Sequence, residues 1–420
     1  MGSWGKIGDY VSAVGAKTLS RVDIDPAASH GHEFGSNGAG LLQKILGKED
    51  RRESEGRGIP ALCIYLCDGD EPCSAEFRAS WYDARRNDPN RSSEWRLYYK
   101  SCEPISRARP GDLAVFGMMG DGRLLILMAA RGSSVESRTK WLFGIDAGDT
   151  AKIKLYDRTL DELDAFGAQV LALMGIDVTP EDDGLVEQMI ARWGYSFPSG
   201  KEFARWAEDS LVDIDPARDD PDEVLMAYYE QEYRLFTAFE ETVIQHEYDE
   251  APFVHDGKMD VPAFTIFYKH VRNRRVSRAG TSLEQHVERI LKARNIEYTA
   301  QGRTEGTKKP DFLFPSVEAY HSPEYVSDNL KMLASKTSTK DRWRQVIDEA
   351  ARIDNKHLLT IAPAGVSKEQ NAQMVDAGIT LVMPRKVRET HDPEVMKNAI
   401  TFAEFLDVVA GLHYSIPDGE

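Results

Sequence analysis

The chain is poor in cysteine, in positive charge and in long apolar runs, and each shortage excludes something. Its four cysteines, Cys63, Cys67, Cys73 and Cys102, all fall in the first quarter and include no Cys-x-x-Cys pair. Structural zinc needs a tight ligand geometry that these spacings do not suggest. Buried, reduced thiols are the expectation. No apolar run approaches the roughly 20 residues of a membrane span, and no signal-peptide pattern opens the sequence. A soluble, cytoplasmic protein is therefore expected. Lysine and arginine number 52 against 69 aspartate and glutamate, a formal net charge of −17. Phosphate backbones reward lysine and arginine, so this balance argues against a protein coated for nucleic acid but not against a local basic groove. Lys269, Arg272, Arg274, Arg275 and Arg278 form a run containing no acid, while acids gather elsewhere, as from Glu208 to Glu223. Gly35-Ser36-Asn37-Gly38-Ala39-Gly40 lacks the Gly-Lys-Ser/Thr ending of an ATP phosphate loop. It reads as a flexible loop, and no ATP site is expected.

What is present suggests two domains, since 420 residues is long for one. Short apolar or alternating runs recur at Ala61–Leu66, Ala79–Tyr82, Trp95–Tyr99, Leu113–Met118, Leu124–Ala130 and Trp141–Ile145, separated by turn residues. That pattern predicts a closed or partly closed β-barrel. A helix is predicted over Leu160–Met174, and the polar stretch that follows places a linker at 177–196. The second half reads as helices over 223–249 and from about Ser282. Strands Phe312–Phe314 and Leu330–Ser335, helix Asp341–Ile353, strand Leu358–Ala362, helix Lys368–Ala377 and strand Ile379–Met383 complete it. The fold class is thus α+β: a β-rich unit over 1–176 and an α/β unit with a central mixed sheet over 197–420.

The chemistry is concentrated in three residues of the second unit. Asp311 follows Pro310 and opens an apolar run, Lys336 ends another, and Glu349 follows thirteen residues later on a predicted amphipathic segment. Phosphodiester hydrolysis needs a nucleophilic water, a counter-charge for the phosphate and help for the leaving oxygen, and a divalent ion can supply all three. Mg²⁺ takes one or two carboxylates and keeps several waters. Asp311 and Glu349 can supply those carboxylates, and Lys336 can orient the attacking water or neutralise developing charge. The set resembles the PD-(D/E)XK nuclease signature with one departure: the usual acid two residues before the lysine is Ala334. Some restriction enzymes of that superfamily take the missing carboxylate from the following helix, where Glu349 lies. The plainer alternative has Asp311 capping a turn, Lys336 at a solvent edge and Glu349 on a solvated helix face.

Longer segments carry a closer resemblance. Arg272 to Glu284 (RNRRVSRAGTSLE), Glu305 to Ser316 (EGTKKPDFLFPS), and Lys336-Thr337 with Lys340-Asp341-Arg342-Trp343-Arg344-Gln345 resemble the EcoRII-type restriction endonucleases. The resemblance covers about residues 197–412 well and the first half weakly. It implies a type II, two-domain enzyme. A C-terminal restriction-endonuclease fold dimerises and cuts. An N-terminal β-pseudobarrel binds a second copy of the DNA site and otherwise blocks the catalytic cleft. It also implies catalysis by Asp311, Lys336 and Glu349 with Tyr320 near them, and Glu284 either reaching the metal site indirectly, through groups around it, or standing as a helix-surface acid.

For DNA reading, Lys340-Asp341-Arg342 is predicted at a helix start. Arginine and lysine donate to guanine O6 and N7, and aspartate accepts from cytosine N4, so this triplet is equipped for neighbouring G·C pairs. The resemblance implies a CC/GG-containing palindrome, with CCWGG as the specific expectation. Arg272, Arg274, Arg275 and Arg278 are expected to grip phosphates, although single arginines among them can instead partner acidic helices. His32, Glu33, Arg91, Glu94 and Arg96 are candidate contacts to the second site. Two other functions stay open: a non-cleaving site-specific DNA-binding protein, and a repair or structure-specific nuclease.

Overall fold

The computed structural model describes residues 4–25, 33–34, 39–46, 57–68, 72–88, 90–145, 154–156, 161–180, 184–336 and 343–413. The chain divides after Val178 into two units.

In the first unit, strands β1 (Val11–Thr18), β2 (Glu33–Phe34), β3 (Arg57–Leu66), β4 (Cys73–Asp83), β5 (Trp95–Tyr98), β6 (Leu113–Met119), β7 (Leu124–Ala129) and β8 (Lys154–Tyr156) form one sheet in the order β2-β5-β4-β3-β7-β6-β1-β8. β3 and β7 run parallel and the other pairings are antiparallel. The continuous run Leu-Leu-Ile-Leu-Met-Ala of β7 is buried throughout, as an apolar strand without alternation predicts. β4 instead buries Ala79, Trp81 and Asp83 with more accessible residues between them. Trp81 stacks on Trp95 of β5 with ring centroids 5.2 Å apart. Among the described residues the expected barrel is an eight-stranded sheet with β2 and β8 as its edges.

One predicted strand is a helix. Trp141–Ile145 falls at the end of helix Ser134–Phe143. Ser133 accepts from the Glu136 amide at the start, and Gly144 ends the helix in the left-handed conformation at φ 63°. Such caps specify a helix more strongly than a short apolar run specifies a strand. The helix predicted over Leu160–Met174 is shorter, Ala165–Leu173, because Asp164 caps it through the Gly167 amide.

The second unit begins within the stretch predicted as a linker. Residues 185–193 form a helix whose Val186 and Met189 pack into an apolar cluster with Phe203, Leu235, Phe236 and Phe239. Helices Gly200–Asp209, Pro221–Glu250 and Val261–Ala293 follow. The helix expected from Ser282 is the last part of that 33-residue helix. A two-stranded hairpin, β9 (Val254–His255) and β10 (Lys258–Met259), joins the two long helices.

Beyond them lies a six-stranded sheet of β11 (Thr299–Ala300), β12 (Phe312–Phe314), β13 (Lys331–Ser335), β14 (Lys356–Leu359), β15 (Ile379–Met383) and β16 (Ala399–Thr401), in that order. β11–β12–β13 are antiparallel, and β13 to β16 are parallel, giving the mixed sheet. The helix predicted over Asp341–Ile353 is, among the described residues, confined to Trp343–Ile347. Glu349 follows it in a turn, and Ala350 takes the left-handed conformation at φ 50°, which an α-helix cannot contain.

Candidate active site

Strand pairing brings the first two site residues together. β12 and β13 are antiparallel with Phe312 opposite Leu333, so Asp311 at the start of one meets Ser335 and Lys336 at the end of the other. Asp311 Oδ2 accepts from the Ser335 amide at 2.7 Å and from Lys336 Nζ at 3.0 Å. The side chain of Asp311 is only 10% exposed and that of Lys336 19%. Lys336 is fixed on its other side by its amide, which donates to the Leu359 carbonyl at 2.9 Å and extends the parallel ladder with β14.

Two glutamates feel the charges of Asp311 and Lys336. Burial, reinforced by the charge of Asp311, pushes the Glu349 carboxyl up to about 7, while Lys336 pulls it the other way. Glu284, from helix Val261–Ala293, is pushed up to about 7 by the same two causes. Gln301 links the acids: its Nε2 donates to Asp311 Oδ1 at 3.1 Å and to Glu284 Oε2 at 3.3 Å. If all three acids are ionised, one lysine leaves two negative charges uncompensated in a partly buried place.

That arrangement fits a divalent cation. Its donors are hard carboxylate oxygens, and its excess charge is what such an ion neutralises. Among the described residues no group of three or more His, Cys, Asp and Glu side chains is gathered as a metal-binding cluster. Mg²⁺ does not require one, because it binds through one or two carboxylates and retains water.

Residues 236–406 match the family model described as EcoRII C terminal. Over those residues the C-terminal unit is similar to the EcoRII C-terminal family. Over 226 residues the chain is 39% identical to the type II restriction enzyme EcoRII of Escherichia coli, and the match covers 54% of each protein. The chain thus spans about half the length of that curated relative. Among solved structures, metal-depleted Ecl18kI in complex with uncleaved, modified DNA aligns over 54% of this chain and 82% of its own, at 19% identity and a TM-score of 0.43. Metal-depleted Ecl18kI in complex with uncleaved DNA aligns over 55% and 84%, at 19% identity and a TM-score of 0.41.

Elsewhere in the C-terminal unit the predicted residues fare differently. Tyr320 is buried, and its hydroxyl donates to Glu305 and accepts from the Arg352 amide at 3.1 Å. That hydroxyl thus has both a donor and an acceptor partner within the protein. Arg274 is drawn to Glu240 at 3.3 Å and Glu247 at 3.1 Å, and lies over the Phe197 ring. Arg275 meets Glu240 at 2.7 Å. For these two arginines the tie to an acidic helix is what forms, where a phosphate grip was the first expectation. Arg272 is exposed. The Arg278 side chain, and Lys340, Asp341 and Arg342 altogether, lie outside the described residues.

In the first unit, the structure joins three of the five candidates. Arg96 reaches Glu33 at 2.6 Å and Glu94 at 2.7 Å. Tyr82 donates to Glu33 at 2.6 Å, and Arg85 pairs with Glu94 at 2.5 Å. Arg91 is exposed nearby, close enough for its charge to act on Glu94. His32 lies outside the described residues. Tyr82 and Arg85, like Gln301 and Glu305, escaped the sequence reading. The signal that could have found Tyr82 is β4–β5 pairing, which places it opposite Arg96.

Proposed function

We propose that this chain is a Mg²⁺-dependent type II restriction endonuclease that hydrolyses double-stranded DNA at a short CC/GG-containing palindrome, CCWGG being the specific expectation. The observation that carries this reading is the Asp311–Lys336 contact, with Glu349 and Glu284 coupled to the same charges. The 39% identity to a type II restriction enzyme supports it.

When bound, the metal would supply a Lewis acid and a more acidic water at the scissile phosphate. Asp311 and Glu349 would hold it, with Glu284 acting through Gln301. Lys336 donates a fixed positive charge beside Asp311, suited to orienting the attacking water and to countering charge that builds on the phosphoryl oxygens. Its two anchors, the Asp311 carboxylate and the Leu359 carbonyl, set that position before DNA arrives. Base reading is assigned to Lys340, Asp341 and Arg342, whose donor and acceptor types suit neighbouring G·C pairs.

The chain acts as a homodimer through its C-terminal unit, matching the symmetry of a palindrome. Its N-terminal unit binds a second DNA copy, with Glu33, Glu94 and Arg96 as the core of that contact, and restrains cleavage until that copy is bound.

Incubating plasmid DNA with the purified chain and Mg²⁺ tests the activity, and run-off sequencing of the ends gives the site and stagger. Discrete double-strand cuts that disappear with Lys336→Ala are expected. Intact plasmids across varied sequences and divalent metals would reject the enzyme reading and leave a DNA-binding protein.

A further inference from the structure

Glu349 stands on a turn, not on a helix, and a turn alone would hold a metal-binding carboxylate loosely. Metal sites work when their ligands are fixed to within about 0.5 Å by surrounding groups. The structure supplies such fixing from a second turn, Thr304–Lys308, closed by the Thr304 amide on the Lys308 carbonyl at 3.0 Å. Lys308 Nζ from this turn donates to the Asp348 carbonyl at 2.9 Å, immediately before Glu349. Glu305 Oε2 accepts from the Ala351 amide at 3.2 Å, two residues after it. The other Glu305 oxygen accepts from Tyr320, whose hydroxyl in turn accepts from the Arg352 amide at 3.1 Å. The Arg352 guanidinium closes the frame on the carbonyls of Tyr320, Ser322 and Tyr325. Between these grips, Ala350 is fully buried and left-handed at φ 50°. A β-carbon disfavours that conformation, so the neighbours must enforce it.

We propose that Glu305 and Lys308 are positioning residues that clamp the 348–352 turn and so present the Glu349 carboxylate to the metal, with Tyr320 as the strut between Glu305 and Arg352. The proposal rests on the reading above that Glu349 binds the catalytic metal. It gives Tyr320 a positioning role in place of a catalytic one. The clamp also accounts for one acidic and one basic residue that do not meet Asp311 or Lys336 yet sit in the segment just before Asp311.

Outer partners of metal ligands typically change metal affinity or activity by about 10- to 100-fold when removed. The test measures Mn²⁺ binding to the full chain by electron paramagnetic resonance, DNA cleavage rate at saturating DNA, and melting temperature without metal. Glu305→Ala should weaken Mn²⁺ binding and slow cleavage by about 10- to 100-fold. Glu305→Gln keeps one carbonyl acceptor and should lose less. Lys308→Met, a milder change at the other end of the turn, should move Mn²⁺ affinity in the same direction with the melting temperature close to wild type. It decides the matter should Glu305→Ala fail to fold. In a Glu349→Ala background, Glu305→Ala should cost no further Mn²⁺ affinity, because the clamp acts only through that carboxylate. Wild-type Mn²⁺ affinity in Glu305→Ala and Lys308→Met overturns the clamp, as does an undiminished Glu305→Ala loss when Glu349 is already gone. If Glu349→Ala alone leaves Mn²⁺ binding and cleavage unchanged, the metal-site reading falls, and the clamp with it.

Discussion

At the residue scale, Asp311, Lys336, Glu284 and Glu349 act on one another's charge in one partly buried place. Removing Lys336 as Lys336→Met should lower cleavage by about 10²- to 10⁴-fold, the usual worth of a positioned acid–base or charge-bearing group. Its melting temperature should stay near wild type, which differential scanning fluorimetry would check. The two raised carboxyls carry a pH prediction. Glu284 and Glu349 have folded values of about 7 against an ordinary 4.5. Between those values the folded chain binds more protons than the unfolded one, so these groups lower metal-free stability as pH rises through that window. A divalent ion competes with the same protons. Mg²⁺ should therefore raise the melting temperature more at pH 8 than at pH 6, and the difference should shrink in Glu349→Ala. An equal Mg²⁺ effect at both pH values would count against the site. The meeting of Asp311 and Lys336 was legible in the sequence because two apolar runs announce adjacent strands whose ends carry them, while Glu349 was marked only by its spacing after Lys336. Gln301 and Glu305 were not, because nothing in a glutamine after β11 or a glutamate in a turn says which backbone will fold back against it.

At the scale of elements, the long helices are tied by a buried ionic group. His286, fully enclosed, lies 2.7 Å from Glu208 and 3.2 Å from Glu232, joining helices Gly200–Asp209, Pro221–Glu250 and Val261–Ala293. Burial by itself would lower the imidazole pKa, but the two glutamates outweigh it and raise it. A histidine with a raised folded pKa contributes stability that is complete below its ordinary value near 6.5 and is lost as pH rises through the folded value. His286→Ala removes the imidazole from between two buried carboxylates, of which Glu208 still has Arg289 at 3.6 Å. It should destabilise the fold by up to about 3 kcal/mol, the low end for a broken buried pair, read as a lower urea midpoint with little change in slope. Helix positions were legible where the apolar period ran long, as in 223–249. The sequence misassigned Trp141–Ile145 because five apolar-rich residues fit either period, and Ser133 and Gly144 decided for helix. It overextended the helix carrying Glu349 because Trp343, Val346, Ile347, Ala350 and Ile353 keep a helical rhythm through a turn that Glu305 and Lys308 hold in place.

At the scale of the whole molecule, an acidic chain that binds DNA as proposed would hold it through local basic groups, so binding should weaken steeply with salt. Two units on one chain also predict a regulatory result. A protein beginning at Thr179 should keep the helix at 185–193 against Phe203, Phe236 and Phe239, fold on its own, and cut single-site DNA faster than the full chain. One beginning at 197 should melt lower, because that apolar cluster is opened. Equal or slower single-site cleavage by the Thr179 form would exclude restraint by the N-terminal unit. The two-unit plan was legible from length and the change from strand-rich to alternating patterns. The position of the division was less so, since the polar stretch 177–196 hides a helix that belongs to the second unit.

Manganese anomalous diffraction from crystals of the chain with DNA measures directly whether Asp311 and Glu349 converge on one divalent ion beside Lys336. A peak within coordination distance of both carboxylates, next to the scissile phosphate, is the predicted result. Ordered carboxylates with no peak between them, or manganese bound only elsewhere, would contradict it.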